Sequence, residues 1–224
     1  NALLKYKIAV LVGDYLLSKG LLLSLDNKDH RVLQLLSSAV RLMSEGELLQ
    51  LEKSRKLNLD ESIYYEIIGG KTASLLASSC AAGASTTFEN EDAIEKMERF
   101  GEKVGMAFQI KDDIFDYGTG EHIGKPTGID IREQKLTLPL IYALQNAHLA
   151  IQKELRYIIK NEYDVSNRVQ RAIQLVWESG GVQYAQKRME ELAAEALEIL
   201  DSYPDSPAKA SLIGLVAYTM NREK

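Results

Sequence analysis

Helical periodicity runs through almost the whole sequence and limits the possible folds more than any other feature. Apolar or small residues recur at steps of three and four, which places them on one face of a helix. A clear case is the series Val182, Ala185, Met189, Leu192 and Ala196. No segment shows the alternation that is typical of a strand, and no repeat of fixed period is present. The sequence therefore predicts an all-α protein, a single-domain helical bundle over residues 1–224.

The same periodicity predicts the individual helices, and capping residues predict several of their ends. Asp60 and Ser206 are good N-cap residues, Pro139 can occupy a first turn, and Gly180 can end a helix. The expected helices contain Leu4–Tyr15, Val32–Leu49, Asp60 to about Gly83, Ile94–Asp116, Pro139–Ala147, Val165–Trp177, Val182–Ile199 and Ser206–Arg222.

The composition excludes some classes of function. The 224 residues include 27 Lys and Arg and 32 Asp and Glu, a formal charge of −5 without a basic run, so we expect no nucleic-acid partner. Cys80 is the single cysteine, which excludes an internal disulfide and favours the cytoplasm. The longest apolar stretch, Ile8–Leu17, is well below the roughly 20 residues that span a bilayer, so we expect no transmembrane segment. The histidines lack the spacing of zinc ligands.

An acidic cluster closes the fourth predicted helix. Its apolar stripe leads from Phe108 to Asp112 and Asp116, with Asp113 beside them. Carboxylates thus occupy positions that the pattern assigns to the interior, in a last turn where the helix macrodipole disfavours negative charge. Mg²⁺ fits such a site, because it binds one or two carboxylates together with substrate phosphates. The alternative is a solvated acidic helix end.

Lysines in two other segments are candidate contacts to a phosphate. Lys71 lies in a run of small residues, where it either extends to the surface or meets an anion. The segment from Tyr117 to Lys135 is the most irregular part of the chain and interleaves glycines with Lys125 and Asp130. Loops of this length are usually functional or disordered. Because this segment directly follows the aspartates, its lysines are placed to fold over a phosphate.

Together these motifs resemble those of the trans-polyprenyl diphosphate synthases. The resemblance is carried by the segments Gly70-Lys71-Thr72, Phe108-Gln109 with Asp112-Asp113 and Asp116, and Gly124-Lys125 with Asp130 and Lys135. It implies a helical bundle of the isoprenoid synthase type with a central active-site cavity. It also implies the head-to-tail condensation of isopentenyl diphosphate with an allylic diphosphate.

The resemblance implies a role for each matching residue. The Mg²⁺ ligands would be Asp112, Asp113 and Asp116. The contacts to the allylic diphosphate would be Lys71, Lys125, Lys135 and, near the C-terminus, Arg222. The catalytic residues would be Lys71, Thr72, Gln109 and Lys125, with Thr72 and Gln109 close to the reacting carbons.

One departure from the family pattern is large. The first aspartate-rich motif and the arginine pair that follows it are absent, and Asn1-Ala2-Leu3 resembles the point just after those arginines. We therefore expect residues 1–224 to be a single polyprenyl synthase domain that lacks the N-terminal helices with that motif. Those helices would hold further metal ligands and much of the isopentenyl site.

The resemblance also bears on product and assembly. The segment Glu45–Leu51 resembles the long-chain members, of the octaprenyl or heptaprenyl type, that make quinone side chains, and the family usually forms homodimers. The alternative function is a non-catalytic helical subunit of a heteromeric prenyl synthase. A terpene cyclase shares the carbocation chemistry, but the pairings of Lys71 with Thr72 and of Lys125 with Asp130 argue against it.

Overall fold

The computed structural model describes residues 2–53, 60–118 and 127–222, and over these ranges the chain is helical without strands. The prediction of an all-α fold is therefore confirmed. The described helices are α1 (Ala2–Asp26), α2 (His30–Lys53), α3 (Glu61–Ile68), a π-helical turn (Gly69–Ala73), α4 (Ser74–Ser85), α5 (Glu91–Phe115), α6 (Ile129–Arg132), α7 (Leu138–Asn146), α8 (Leu149–Asn161), α9 (Ser166–Glu178), α10 (Gly181–Asp201) and α11 (Pro207–Asn221).

Helix α5 is the centre of the bundle and packs against α4, α10, α11 and the π turn. Asn90 begins it by accepting a hydrogen bond from the backbone N–H of Asp92, and acidic residues in the first turn suit the helix dipole. Its buried face includes Phe100, Val104, Ala107 and Ile110. The main core lies around its C-terminal half, where α3, α7, α8, α9 and α10 also contribute buried residues.

Two glycines let α5 approach α4 and the π turn at backbone contact. A Cβ on Gly101 would lie 2.5 Å from the carbonyl oxygen of Leu76, and a Cβ on Gly105 would lie 2.6 Å from the Cα of Ala73. We call these two glycines, with Ala73, Leu76 and Ala77, the glycine seam. The seam fixes the register between the helix that carries the aspartates and the turn that carries Lys71.

The third predicted helix is interrupted by the π turn. The sequence pattern predicts one continuous helix from Asp60 to about Gly83, but residues Gly69–Ala73 form i→i+5 hydrogen bonds between α3 and α4. Such single π turns occur frequently at functional sites. Two other glycines pack here, since a Cβ on Gly46 would lie 2.6 Å from the backbone nitrogen of Lys71 and one on Gly70 would lie 2.9 Å from the carbonyl oxygen of Leu42. The π turn and α2 are thus held in direct contact.

Two described helices were not predicted from the sequence. Helix α8 buries Leu155, Ile158 and Ile159 completely, and the helical spacing of these residues was a usable signal. Helix α6 is a single turn within the segment predicted to be irregular, and Ile131 anchors it in the core.

The predicted N-caps are confirmed in part. The Ser206 side chain accepts a hydrogen bond from the backbone N–H of Lys209, whereas Asp60 precedes α3 without such a bond.

Helix α1 differs from the others because most of its described side chains, from residue 6 onward, are exposed. Leu11 and Leu23 are each 66% exposed, and Tyr6 is 74% exposed. The apolar region is longer than the expected Ile8–Leu17: by length and composition alone, Tyr6–Asp26 could cross a membrane. This is weak evidence, because a signal sequence or a core helix of a soluble protein passes the same test. Among the described residues, the main contacts of α1 are with α2.

Candidate active site

The three aspartates at the end of α5 have different surroundings. Asp113 is only 6% exposed, whereas Asp112 and Asp116 are half-buried. The sequence pattern assigned Asp112 to the inward stripe, and this phase is wrong by one residue. The fully buried face runs through Ala107 and Ile110 to Asp113, so the deepest carboxylate is the middle one.

Asp113 is held from two sides by neutral donors. The Tyr64 hydroxyl donates to one carboxylate oxygen over 2.7 Å, and the Gln109 amide donates to the other over 3.0 Å. Burial raises the pKa of Asp113 to about 7, although both hydrogen bonds act in the opposite direction. The same burial, together with the charge of Asp113, raises the pKa of Tyr64 well above its usual value. Asp113 therefore resembles a buried structural acid more than an open metal ligand.

The hydrogen-bond chain continues from Gln109 to the π turn. The Thr72 hydroxyl donates to the Gln109 side-chain oxygen over 2.7 Å. Thr72, Gln109, Asp113 and Tyr64 thus form one connected chain across the π turn, α5 and α3. The structure brings together three residues that the sequence assigned to the site, and it adds Tyr64, which no sequence motif indicated.

Asp112 pairs with the C-terminal arginine. The Arg222 guanidinium hydrogen-bonds to the Asp112 carboxylate and lies 3.3 Å from the carbonyl oxygen of Phe108. The guanidinium carbon lies 4.0 Å from the centre of the Phe108 ring and 5.3 Å from that of Phe115. Among the described residues, the buried Nε of Arg222 has no hydrogen-bond partner. The buried Nε–H group of Arg222 can therefore donate a hydrogen bond to an anionic ligand.

Asp116 organises the turn that follows α5. Its two carboxylate oxygens accept from the backbone N–H groups of Ile129, at 2.8 Å, and of Asp130, at 2.9 Å. These are the first N–H groups of α6, so Asp116 caps that helix from a distance of thirteen residues. Gly128 precedes α6 with φ +77°, a left-handed conformation that favours glycine. Burial raises the pKa of Asp116, while the bonds from Ile129 and Asp130 lower it.

Lys71 has polar partners on α2 that the sequence did not assign to the site. Its ammonium lies 2.7 Å from a Glu47 carboxylate oxygen and 2.7 Å from the Gln50 side-chain oxygen. The Lys71 side chain is 36% exposed, so it reaches the surface and also meets an anionic group there. Glu47 and Gln50 lie at the end of the second predicted helix, beside the apolar face that includes Gly46. Only this position could have indicated that they contact Lys71.

The remaining predicted contacts lie around α6 or outside the described residues. The Lys135 ammonium lies 2.5 Å from Glu133 and 3.7 Å from Asp130. Burial and the neighbouring charge of Asp116 raise the pKa of Asp130 to about 6. Lys125 lies outside the described residues, so its predicted contact to a phosphate stays a prediction.

Comparison with known proteins decides the family. The family model described as "Polyprenyl synthetase" matches residues 1–176 of this chain. The chain belongs to the polyprenyl synthetase family. The residues beyond the match, 177–222, include α10, which packs against α5, and Arg222, which contacts Asp112.

Relatives of this polyprenyl synthetase extend over nearly the whole chain. The all-trans-nonaprenyl-diphosphate synthase (geranyl-diphosphate specific) of Rhodobacter capsulatus is 34% identical over 99% of the chain and 68% of its own length. Solanesyl-diphosphate synthase 2 of Oryza sativa subsp. japonica is 33% identical over 96% of the chain, which spans 53% of that protein. The solved polyprenyl synthase of Caulobacter crescentus, complexed with calcium and isoprenyl diphosphate, has a TM-score of 0.88 at 32% identity. It is covered to 66%, and this chain to 96%.

The donors of this polyprenyl synthetase fit a divalent ion that is shared with a phosphate ligand. The described residues contain no group of three or more His, Cys, Asp or Glu side chains that could hold a metal by themselves. Mg²⁺ usually needs only one or two protein carboxylates when phosphate oxygens supply other ligands. The Asp112 side chain, which is 41% exposed, fits that requirement, and Asp116 lies one turn further on. Both oxygens of Asp116 also accept hydrogen bonds, but its side chain is half-buried and can still reach a ligand. Asp113 fits least well, because it is only 6% exposed and both of its oxygens accept hydrogen bonds inside the core.

Proposed function

We propose that this chain carries the prenyl-transfer site of a Mg²⁺-dependent polyprenyl diphosphate synthase. The enzyme condenses isopentenyl diphosphate with an allylic diphosphate to an all-trans polyprenyl diphosphate, a long-chain product of the kind that forms quinone side chains. One observation supports the proposal most. Hydrogen bonds link Thr72 in the π turn through Gln109 to Asp113 near the end of α5, and the cations Lys71 and Arg222 lie at the two ends of this region.

The two cations support binding of an allylic diphosphate. Lys71 pairs with Glu47 on α2, Arg222 pairs with Asp112, and the buried Nε of Arg222 is unpaired among the described residues. A diphosphate can replace carboxylates in both pairs, since phosphate oxygens suit the same donors. Lys125 and Lys135 are proposed to contact the same ligand from the segment before and after α6.

The chemistry follows from where charge develops. When the allylic C–O bond breaks, its electron pair leaves with the diphosphate and a carbocation remains on the allylic carbon. Lys71 and Arg222 stabilise the growing negative charge, which is selective for the transition state. Mg²⁺, when bound by Asp112 and Asp116 with the diphosphate, would supply further charge neutralisation. The double bond of isopentenyl diphosphate attacks the allylic cation and forms the new carbon–carbon bond. The released diphosphate then accepts the proton whose loss forms the new double bond.

Thr72 and Gln109 are proposed to lie beside the reacting carbons. Their oxygens are fixed by the hydrogen bond between them, so they do not need to reorganise as the cation forms. The buried apolar surface of Ala73, Ala77 and Ala107 lies next to them and keeps water from this part of the site.

Assembly and location form part of the same proposal. A second copy of the chain covers the exposed apolar residues of α1, which the chain itself leaves open, and forms a homodimer. Burial of so many large apolar side chains would supply a driving force typical of stable homodimers. The single cysteine supports a cytoplasmic location.

The test is an elongation assay with the full-length protein. It is incubated with Mg²⁺, farnesyl diphosphate and labelled isopentenyl diphosphate, and product lengths are separated by chromatography. We expect Mg²⁺-dependent incorporation of several isopentenyl units. A well-folded protein that incorporates no label would contradict the proposal and favour the alternative, a non-catalytic helical subunit of a heteromeric synthase.

A further inference from the structure

Tyr64 is a buried polar residue that the proposed reaction does not yet use. It lies on α3, outside every motif that the sequence indicated, and is 3% exposed. Its hydroxyl donates to Asp113 over 2.7 Å, across 49 residues of sequence. A buried carboxylate needs such donors, because an unsatisfied charge inside a protein is costly.

The direction of each hydrogen bond in the chain follows from the Asp113 carboxylate. In its ionised form Asp113 only accepts, so Tyr64 donates its proton and Gln109 turns its NH₂ group toward Asp113. The Gln109 oxygen then faces Thr72, whose hydroxyl must donate to it. As a result, the Thr72 proton is used within the protein, and its hydroxyl offers only lone pairs to a ligand.

We propose that Tyr64 is a positioning residue for the prenyl-transfer site, acting through Asp113 on Gln109 and Thr72. The inference rests on the proposed function, since Gln109 and Thr72 are the groups placed beside the reacting carbons. Among the described residues, loss of the Tyr64 hydroxyl leaves one buried Asp113 oxygen without a donor. The carboxylate then shifts toward another donor or a water molecule, which releases the Gln109 amide and the Thr72 hydroxyl from their fixed orientation.

The structure contains a matched control for the substitution Tyr64→Phe. Tyr184 on α10 also donates its hydroxyl to a carboxylate over 2.7 Å, and its partner, Glu61, also lies on α3. Tyr184→Phe therefore removes the same group and the same type of hydrogen bond without touching the chain that leads to Thr72. Both variants keep their rings.

The experiment compares both variants with wild type in the elongation assay and in thermal unfolding. We expect Tyr64→Phe to lower kcat about tenfold, with the KM for the allylic diphosphate and the half-saturating Mg²⁺ concentration changed less than about twofold. Both variants should lower Tm, Tyr184→Phe by less because Tyr184 is only part-buried, and Tyr184→Phe should leave kcat unchanged. Equal kcat values for Tyr64→Phe and wild type would overturn the inference.

A double-mutant cycle separates positioning from a general loss of structure. Tyr64 and Thr72 hydrogen-bond to different residues, Asp113 and Gln109, so Tyr64→Phe and Thr72→Val should be additive in kcat if Tyr64 acts only on stability. Action through the chain predicts that the double variant loses little more than Thr72→Val alone. Additive losses, or a kcat loss that Tyr184→Phe reproduces, would contradict the inference. An inactive wild type would overturn it together with the proposed function, whereas an active wild type beside an unimpaired Tyr64→Phe would overturn the inference alone.

Discussion

The glycine seam and the outer face of α1 are both rich in small and apolar residues, yet they meet different surroundings. In the seam, Gly101 and Gly105 bring α5 into backbone contact with its neighbours, and Ala73 is fully buried. Along α1, residues such as Leu11 and Leu16 are more than half exposed within the chain. Apolar composition alone therefore does not tell whether a helix face is already buried.

The closed seam and the open face of α1 are therefore suited to different functions. The closed region can hold groups in fixed positions, because densely packed interiors leave little room for alternative rotamers. The hydrogen-bond chain from Tyr64 to Thr72 lies directly beside the seam. The open region has no such network and offers only surface to a partner. Chemistry is thus expected to depend on the seam, and association on α1.

The largest effect on activity is expected at Asp112, in the last turn of α5. Asp112→Ala should lower kcat/KM by about a hundredfold or more, because it removes charge from the proposed metal site. Asp112→Asn should be nearly as inactive, although it keeps an oxygen for Arg222. Circular dichroism should show wild-type helix content. Asp92→Ala, at the exposed opposite end of α5, is the control and should stay active. Full activity of Asp112→Asn would exclude Asp112 as a metal ligand.

A smaller effect is expected from the titration of Asp113. Since its pKa is raised to about 7 in the folded protein, the carboxyl favours folding at acidic pH and loses that contribution as pH rises toward 7. Relative to Asp113→Asn, wild type should lose on the order of 2 kcal/mol of unfolding free energy between about pH 5 and pH 8. Urea unfolding of both proteins in EDTA measures this difference. A difference that does not change with pH would show that Asp113 titrates normally.

The seam itself should respond to a single methyl group. Gly101→Ala places a Cβ 2.5 Å from the Leu76 carbonyl oxygen, so α5 must shift, at a cost of about 1–2 kcal/mol in unfolding free energy. Gly83→Ala, on the exposed side of α4, meets nothing within 4 Å and should stabilise the helix by about 0.5–1 kcal/mol. Urea denaturation of the two variants gives both values. Equal effects would mean that the helices do not touch at Gly101.

The helical class was predictable because most described helices bury one face at regular spacing. The details that depend on contacts between helices were not. The π turn breaks a pattern that reads as one helix, since Gly46 and Gly70 bring α2 against Lys71. The inward phase of the aspartates was missed by one residue, because side-chain donors on another helix, above all Tyr64, make burial of Asp113 tolerable.

The types of residue in the candidate site were predictable from the sequence, but the contacts between them were not. Lys71, Gln109 and Arg222 were indicated by motifs, but which residues they contact was not. The contacts of Lys71 with Glu47, of Gln109 with Thr72 and of Arg222 with Asp112 each join distant parts of the chain. Glu47 and Gln50 look like ordinary helix-surface residues until α2 packs beside the π turn. Lys125 illustrates the opposite case, since its motif is clear and its place lies outside the described residues.

The open face of α1 should give the smallest effect on the stability of the chain and a large one on assembly. Leu11 is 66% exposed, so Leu11→Glu should change the unfolding free energy of the separate chain by less than about 0.5 kcal/mol. Burying that carboxylate against a second copy would be costly, so sedimentation should show a shift from dimer to monomer. Leu215→Glu, at an exposed site on α11, controls for the added charge and should leave the dimer intact. If the Leu11→Glu variant stays dimeric, the partner surface lies elsewhere, and the apolar face of α1 would then need a different occupant to account for its exposure.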